Sequence, residues 1–143
     1  MDDKRLEQGE AVAKSKRLKW ADEPSGHDYP AAASYLSLIA PPTLADVLSS
    51  LLAHPGTVEH PVKDILRAAR LPLLPADDPE VAKDLKKVAK GIPLSPVLLI
   101  RGDIESGRPL QIADGYHRVC ASYHHGENAV VPCRLVDPPA ITV

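Results

Sequence analysis

The sequence predicts an α+β (α/β) domain built on a small mixed β-sheet with surrounding helices, and three observations carry that prediction. Apolar runs at 97–100, 110–113 and 129–136 are short, rich in Val, Ile and Leu, and bounded by Pro, Gly and Asp, as strands are. Segments at 44–54, 79–90 and 116–125 have helical spacing or flanking helix signals. A length of 143 residues fits one domain with an extension. A hydrophobic content of 44%, with aromatics only 3% and no Phe, makes the core one of Leu, Val, Ile and Ala.

The first 22 residues are dense in mixed charge, and Leu6, Val12 and Leu18 give a poor helical stripe. They read as a marginal helix or an arm. Lys14, Lys16, Arg17 and Lys19 read as a solvated face rather than a nucleic-acid patch. Trp20, the single Trp, is expected to anchor this arm to the body. Residues 24–30 form a turn-rich linker, and 31–39 a short helix or packed segment. Thr43 is expected to cap a helix at 44–54, with Asp46 approximating a capping box. Leu44, Val47, Leu48, Leu51 and Leu52 lie on one face of that helix. Residues 1–57 therefore read as an arm and helical extension, and 58–143 as the main domain. The apolar stripe is expected to dock on that domain; a homodimer or protein-partner surface is the alternative.

Within the main domain, 58–62 reads as a strand, 63–69 as a helical turn and 71–75 as extended chain. Asp78 then Pro79 is a strong helix start, a carboxylate at the cap followed by a proline at the first position. That helix runs to Lys90 and stops at Gly91, with Val81, Leu85 and Val88 inward. The 97–100 run suits a central strand. The 101–108 loop turns the chain so that 110–113 pairs back with it, and 129–136 is the last strand.

Composition narrows the function classes. A formal charge of −2 argues against binding nucleic acid through a broad basic surface. No run is long and apolar enough to span a membrane, and the N-terminus lacks the apolar core of a signal peptide. Two cysteines do not make a disulfide framework and read as reduced thiols of a cytoplasmic protein.

The chemistry concentrates at Ile112-Ala113-Asp114-Gly115-Tyr116-His117-Arg118-Val119. A strand stops, the chain turns on a glycine, and a helix opens with His and Arg in its first turn. A helix N-terminus presents unpaired N–H groups and partial positive charge. Glycine allows close approach to the backbone. Arg118 adds a fork that fits phosphate oxygens, and His117 another donor. The stretch reads as an anion site, best suited to phosphate. Asp114 has three readings: helix cap, ligand of a phosphate-bound metal, or general base. Lys87 and Lys90 either reach the phosphates or complement the C-terminus of their helix. His117, Cys120 and His124 share a helix face, and with Cys133 or His125 they would form a permissive zinc set.

Asp114-Gly115-Tyr116-His117-Arg118 resembles the Asp-Gly-x-His-Arg signature of the ParB/sulfiredoxin superfamily. The flanks are similar too: Ile92-Pro93-Leu94-Ser95-Pro96-Val97-Leu98-Leu99-Ile100 resembles the family's Pro-hydrophobic strand, and Ala129-Val130-Val131-Pro132-Cys133-Arg134-Leu135-Val136 its closing Val-Pro strand. The likeness covers roughly residues 58–136. It implies nucleotide or phosphate binding by Gly115, Tyr116, His117 and Arg118, with ATP, ADP or CTP and magnesium as candidate ligands. Some members are nucleotide-dependent kinases acting on small hydroxylated substrates, which implies a catalytic Asp114 and makes Asp77 a second candidate carboxylate. The sequence departs from the family at Tyr116, where sulfiredoxins carry the catalytic Cys, and a phenol cannot replace that thiolate. ParB proteins proper have Gly-Glu-Arg-Arg here, which only Gly115 and Arg118 match, and they carry a helix-turn-helix that this chain does not show. The resemblance therefore implies a nucleotide-binding domain, with phosphotransfer or nucleotide hydrolysis as its activity. The alternatives are a non-enzymatic interaction module with a vestigial site, or a ParB-like DNA-associated factor.

Overall fold

A computed structural model describes residues 17–54 and 56–139; Lys14, Lys16 and most of the charge-dense arm lie outside the described residues. The fold is α+β. In chain order come α1 (Asp28–Leu36), α2 (Pro42–Leu52), β1 (Val58–Pro61), α3 (Val62–Ala69), α4 (Pro79–Ala89), β2 (Val97–Ile100), β3 (Gln111–Asp114), α5 (Tyr116–His125) and β4 (Val130–Val136). The four strands lie in the order β1-β4-β2-β3. β1 and β3 pair antiparallel with their neighbours, while β2 and β4 run parallel at the centre, Val97 opposite Cys133 and Ile100 opposite Val136.

All four residues of β2 are buried. Val97 and Leu99 enter one core with Ile65, Val81, Ile112, Val119 and Val131. Leu98 and Ile100 enter a second with Leu36, Leu48, Leu52, Ala113 and Val136. An unbroken apolar strand of this kind belongs in a sheet covered on both sides. Helices α3, α4 and α5 cover one face, and α1 and α2 the other. The helices assigned from sequence to the 1–57 extension thus supply a full layer of the sandwich. Arg134, buried on β4, sends Nη1 to the Ala53 carbonyl at 3.3 Å, a cation at the C-terminal end of α2.

Two helix starts differ from the sequence reading. Helix α1 begins at Asp28 rather than at 31, because Pro30 falls in its first turn, where a missing N–H costs nothing. Helix α2 begins at Pro42, and Thr43 makes no cap bond; Pro41 and Pro42 preset the entry instead. Trp20 bridges to Leu94 and packs on the first core, while residues 1–16 of the arm it is expected to anchor lie outside the described residues.

Helix α4 starts as its sequence demands. The Asp78 carboxylate accepts from the N–H of Glu80 and of Val81, both at 3.1 Å, and Pro79 takes the first position. Asp78→Ala is expected to lower stability by about 1 kcal/mol, measured by urea unfolding. A loss below about 0.3 kcal/mol, smaller than even weak caps contribute, would show that this end of α4 is held by packing alone.

Candidate functional site

β3 ends on Asp114, and Gly115 turns the chain with φ 109°, a left-handed conformation open to glycine and hostile to side chains. The turn is also crowded: a Cβ on Gly115 would stand 2.6 Å from Cγ1 of Val97 and 2.9 Å from Nη2 of Arg118. Helix α5 therefore opens directly over the start of β2. Its N-terminus has no side-chain cap. Asp114 is not that cap, because its carboxylate faces Arg118 instead.

Arg118 is the centre of the site. Its Nη2 donates to Oδ2 of Asp114 at 3.0 Å and to the Pro96 carbonyl at 3.3 Å, and lies 3.8 Å from Oδ2 of Asp28. The side chain is only 15% exposed and that of Asp28 only 3%. Nε of Arg118 is buried without a partner among the described residues. The sequence reads Arg118 as a fork that fits phosphate oxygens; in the fold, one edge of that guanidinium is committed to carboxylates. Nη1 carries none of these contacts.

A third carboxylate approaches from α4. Burial pushes the Asp84 carboxyl above its usual range, against the opposing pull of Lys87, Arg118 and His117. Burial likewise raises Asp114, with Arg118 working the other way and the nearby Asp28 adding to the rise. Asp28, Asp84, Lys87 and Arg118 line a cleft of about 290 Å³, closed by Ser25 and Ser95. Lys87 holds its Nζ 3.9 Å from Asp84. The constellation draws on α1, α4, β3 and α5, so it exists only in the folded chain.

The predicted residues divide on this geometry. Asp114, Gly115, His117 and Arg118 occupy the strand-turn-helix, and of these only Arg118 lines the cleft. His117 is half-buried, its ring tilted against that of Tyr116 at 5.7 Å between centroids. Tyr116 points elsewhere, its hydroxyl donating to the Pro72 carbonyl. Asp77 is exposed in the turn before α4 and does not line the cleft; its neighbour Asp78 is spent on capping. Asp28 and Asp84 were missed. Asp28 stands in a stretch that reads as linker, and Asp84 in a helix whose charges read as solvated.

The zinc alternative separates in space. Cys120 and Cys133 are fully buried in the first core, and His124 places Nε2 2.6 Å from the Leu74 carbonyl. No group of three His, Cys, Asp or Glu suited to a metal occurs among the described residues. Burial pushes the Cys120 thiol up and that of Cys133 to about 11, which is the reverse of what a nucleophilic thiolate requires. Among the described residues, no helix is long and apolar enough to cross a membrane. No family model, no curated protein and no solved structure matches this chain.

Proposed function

We propose that this chain binds a phosphate-bearing small molecule, a nucleotide such as ATP, ADP or CTP with magnesium, at the turn between β3 and α5. The observation that carries the reading is that Arg118, from the first turn of an uncapped helix, and Lys87 line one cleft. The resemblance to the ParB/sulfiredoxin signature supports the same ligand class. Nη1 of Arg118, Nζ of Lys87 and the first N–H groups of α5 are the donors offered to phosphate.

Glu23, Asp28 and Asp84 line the same cleft, and Asp114 pairs with Arg118 beside it, so negative charge surrounds those donors. A bare polyphosphate is repelled there, and a magnesium complex is not. Magnesium keeps several waters and takes one or two carboxylates beside the phosphates, so it needs no protein cage. Phosphotransfer to a hydroxyl, or nucleotide hydrolysis, is the activity that would follow. A carboxyl held above its ordinary range, as Asp84 and Asp114 are, suits a general base. A cytoplasmic setting belongs to the same proposal. A homodimer or partner surface on α2 is the second reading, favoured by Val47 and Leu51, which stay exposed on that helix.

The test is calorimetric titration of ADP, ATP and CTP, with and without magnesium, into the native chain and into Lys87→Ala and His117→Ala. Micromolar binding that needs magnesium and weakens by about tenfold in Lys87→Ala, as for one lost charge-assisted contact, is expected. The preferred base then separates a kinase-like from a ParB-like ligand. A folded chain that binds none of the three overturns the proposal.

A further inference from the structure

A second cavity, larger than the cleft at Arg118, lies at the opposite end of β2. It encloses about 450 Å³, within the range of about 300–1,000 Å³ usual for small-molecule sites. Its floor is apolar: Ile65 of α3, Leu99 of β2, Leu110 before β3 and Leu135 of β4. Its rim carries Arg67, Arg70, Arg101 and Arg108, half of the eight arginines in the whole sequence. Two come from the last turn and cap of α3, and two stand at the bases of the 101–108 hairpin.

The charge at this rim is unbalanced. Only Asp64 and Asp103 answer the four guanidiniums from within the lining. The Asp103 carboxylate accepts from the N–H of Glu105 at 3.2 Å and of Ser106 at 3.3 Å in its own turn, and it also feels the charge of Arg108. Asp64 reaches Arg67 only at 3.9 Å, an exposed pair of little strength. Arg101 donates to Asp137, and Arg70 uses one nitrogen on the Gly107 carbonyl. Each guanidinium has five N–H donors, so these contacts leave most of them available.

Arg70 is further marked by its backbone. At φ 57° it is the one non-glycine residue with positive φ among those described. It closes α3 through the Leu71 N–H to the Leu66 carbonyl, where glycine is the usual residue. An arginine held there at a conformational cost points to use of its side chain. Ile104, 97% exposed at the hairpin tip, lines the same cavity and extends its apolar surface outward.

We infer that this cavity binds a small amphipathic anion, an apolar body resting on the leucine floor with a phosphate or carboxylate head among the arginines. The site is separate from the one at Asp114 and does not rest on the nucleotide reading. Octyl phosphate, octanoate and octylammonium, each below its micellar concentration, would be titrated into the isotope-labelled chain and followed by amide shifts. The same titrations would use Arg70→Gly and Arg108→Gln, both exposed positions, with melting temperatures recorded for each variant. Saturable binding of at least one anion is expected, with shifts at Leu99 and Leu110 and none from octylammonium. Each substitution should weaken it by about tenfold, the loss of a charge-assisted contact, without lowering the melting temperature. The tighter of the two anions identifies the head group. Absence of saturable binding by both anions, equal binding of octylammonium, or anion binding indifferent to both substitutions overturns the inference.

Discussion

Gly115→Ala is expected to destabilise the fold by about 2–5 kcal/mol, on two independent grounds. The first is conformational. A φ of 109° lies beyond the left-handed basin that Asn and Asp tolerate, so any side chain there is strained, by about 1–2 kcal/mol. The second is steric. The new methyl would meet Val97 Cγ1 at 2.6 Å and Val97 Cβ at 3.0 Å. Val97 is fully buried at the start of the central strand, paired to Cys133 of β4, and has nowhere to go. Overpacking of this kind costs about 1–3 kcal/mol. Denaturant unfolding of Gly115→Ala, Val97→Ala and the double variant separates the two grounds. Val97→Ala should recover the steric part in the double variant, giving a coupling of about 1 kcal/mol or more, and leave the conformational part untouched. A loss below about 1 kcal/mol in the single variant would mean that the turn relaxes freely. The glycine would then be kept for something other than this packing.

How much of this was legible in the sequence depends on where the information resides. The strand at 97–100, the capped helix after Asp78 and the strand-turn-helix at 112–125 are local features, written in periodicity and in punctuation by Pro and Gly. The unbroken run Val97-Leu98-Leu99-Ile100 also states that both faces of its sheet are covered. That covering needs α1 and α2, which supply Leu36, Leu48 and Leu52 to the second core. The cap expected at Thr43 was displaced by a rival signal one residue earlier, the rigid Pro41-Pro42 pair. Asp28 and Asp84 were hidden for a different reason. Each acquires its meaning only from Arg118, which lies 90 residues from the first and 34 from the second along the chain. No spacing rule within one element reports such a meeting.

Arg118→Met is expected to cost about 3 kcal/mol at neutral pH, because removing one partner of a buried ion pair strands the other. Here it strands two, since Asp114 and Asp28 both face Nη2. Methionine keeps much of the volume, so the loss reports charge rather than a cavity. The pH dependence fixes the mechanism. Burial already holds the Asp114 carboxyl above its ordinary value of 3.8, with Arg118 as the main opposing influence. A carboxyl raised in the folded state contributes stability that is complete below its unfolded value. That contribution is lost as pH climbs through the folded value. Without Arg118 the folded value climbs further, so the deficit of the variant is largest at neutral pH and narrows as acid protonates Asp114. Asp114→Asn mimics that protonated state. Alone it should cost less than Arg118→Met, since burial already works against the charge of Asp114. Added to Arg118→Met, it should restore about 1 kcal/mol or more of the loss. Urea unfolding of the three variants at pH 7 and near pH 4.5 measures all of this. If the Arg118→Met deficit were the same at both pH values, and Asp114→Asn restored nothing, the arginine would be acting through packing. The three carboxylates would then not be organised around its charge, and Arg118 would have no electrostatic hold with which to present Nη1 to a phosphate.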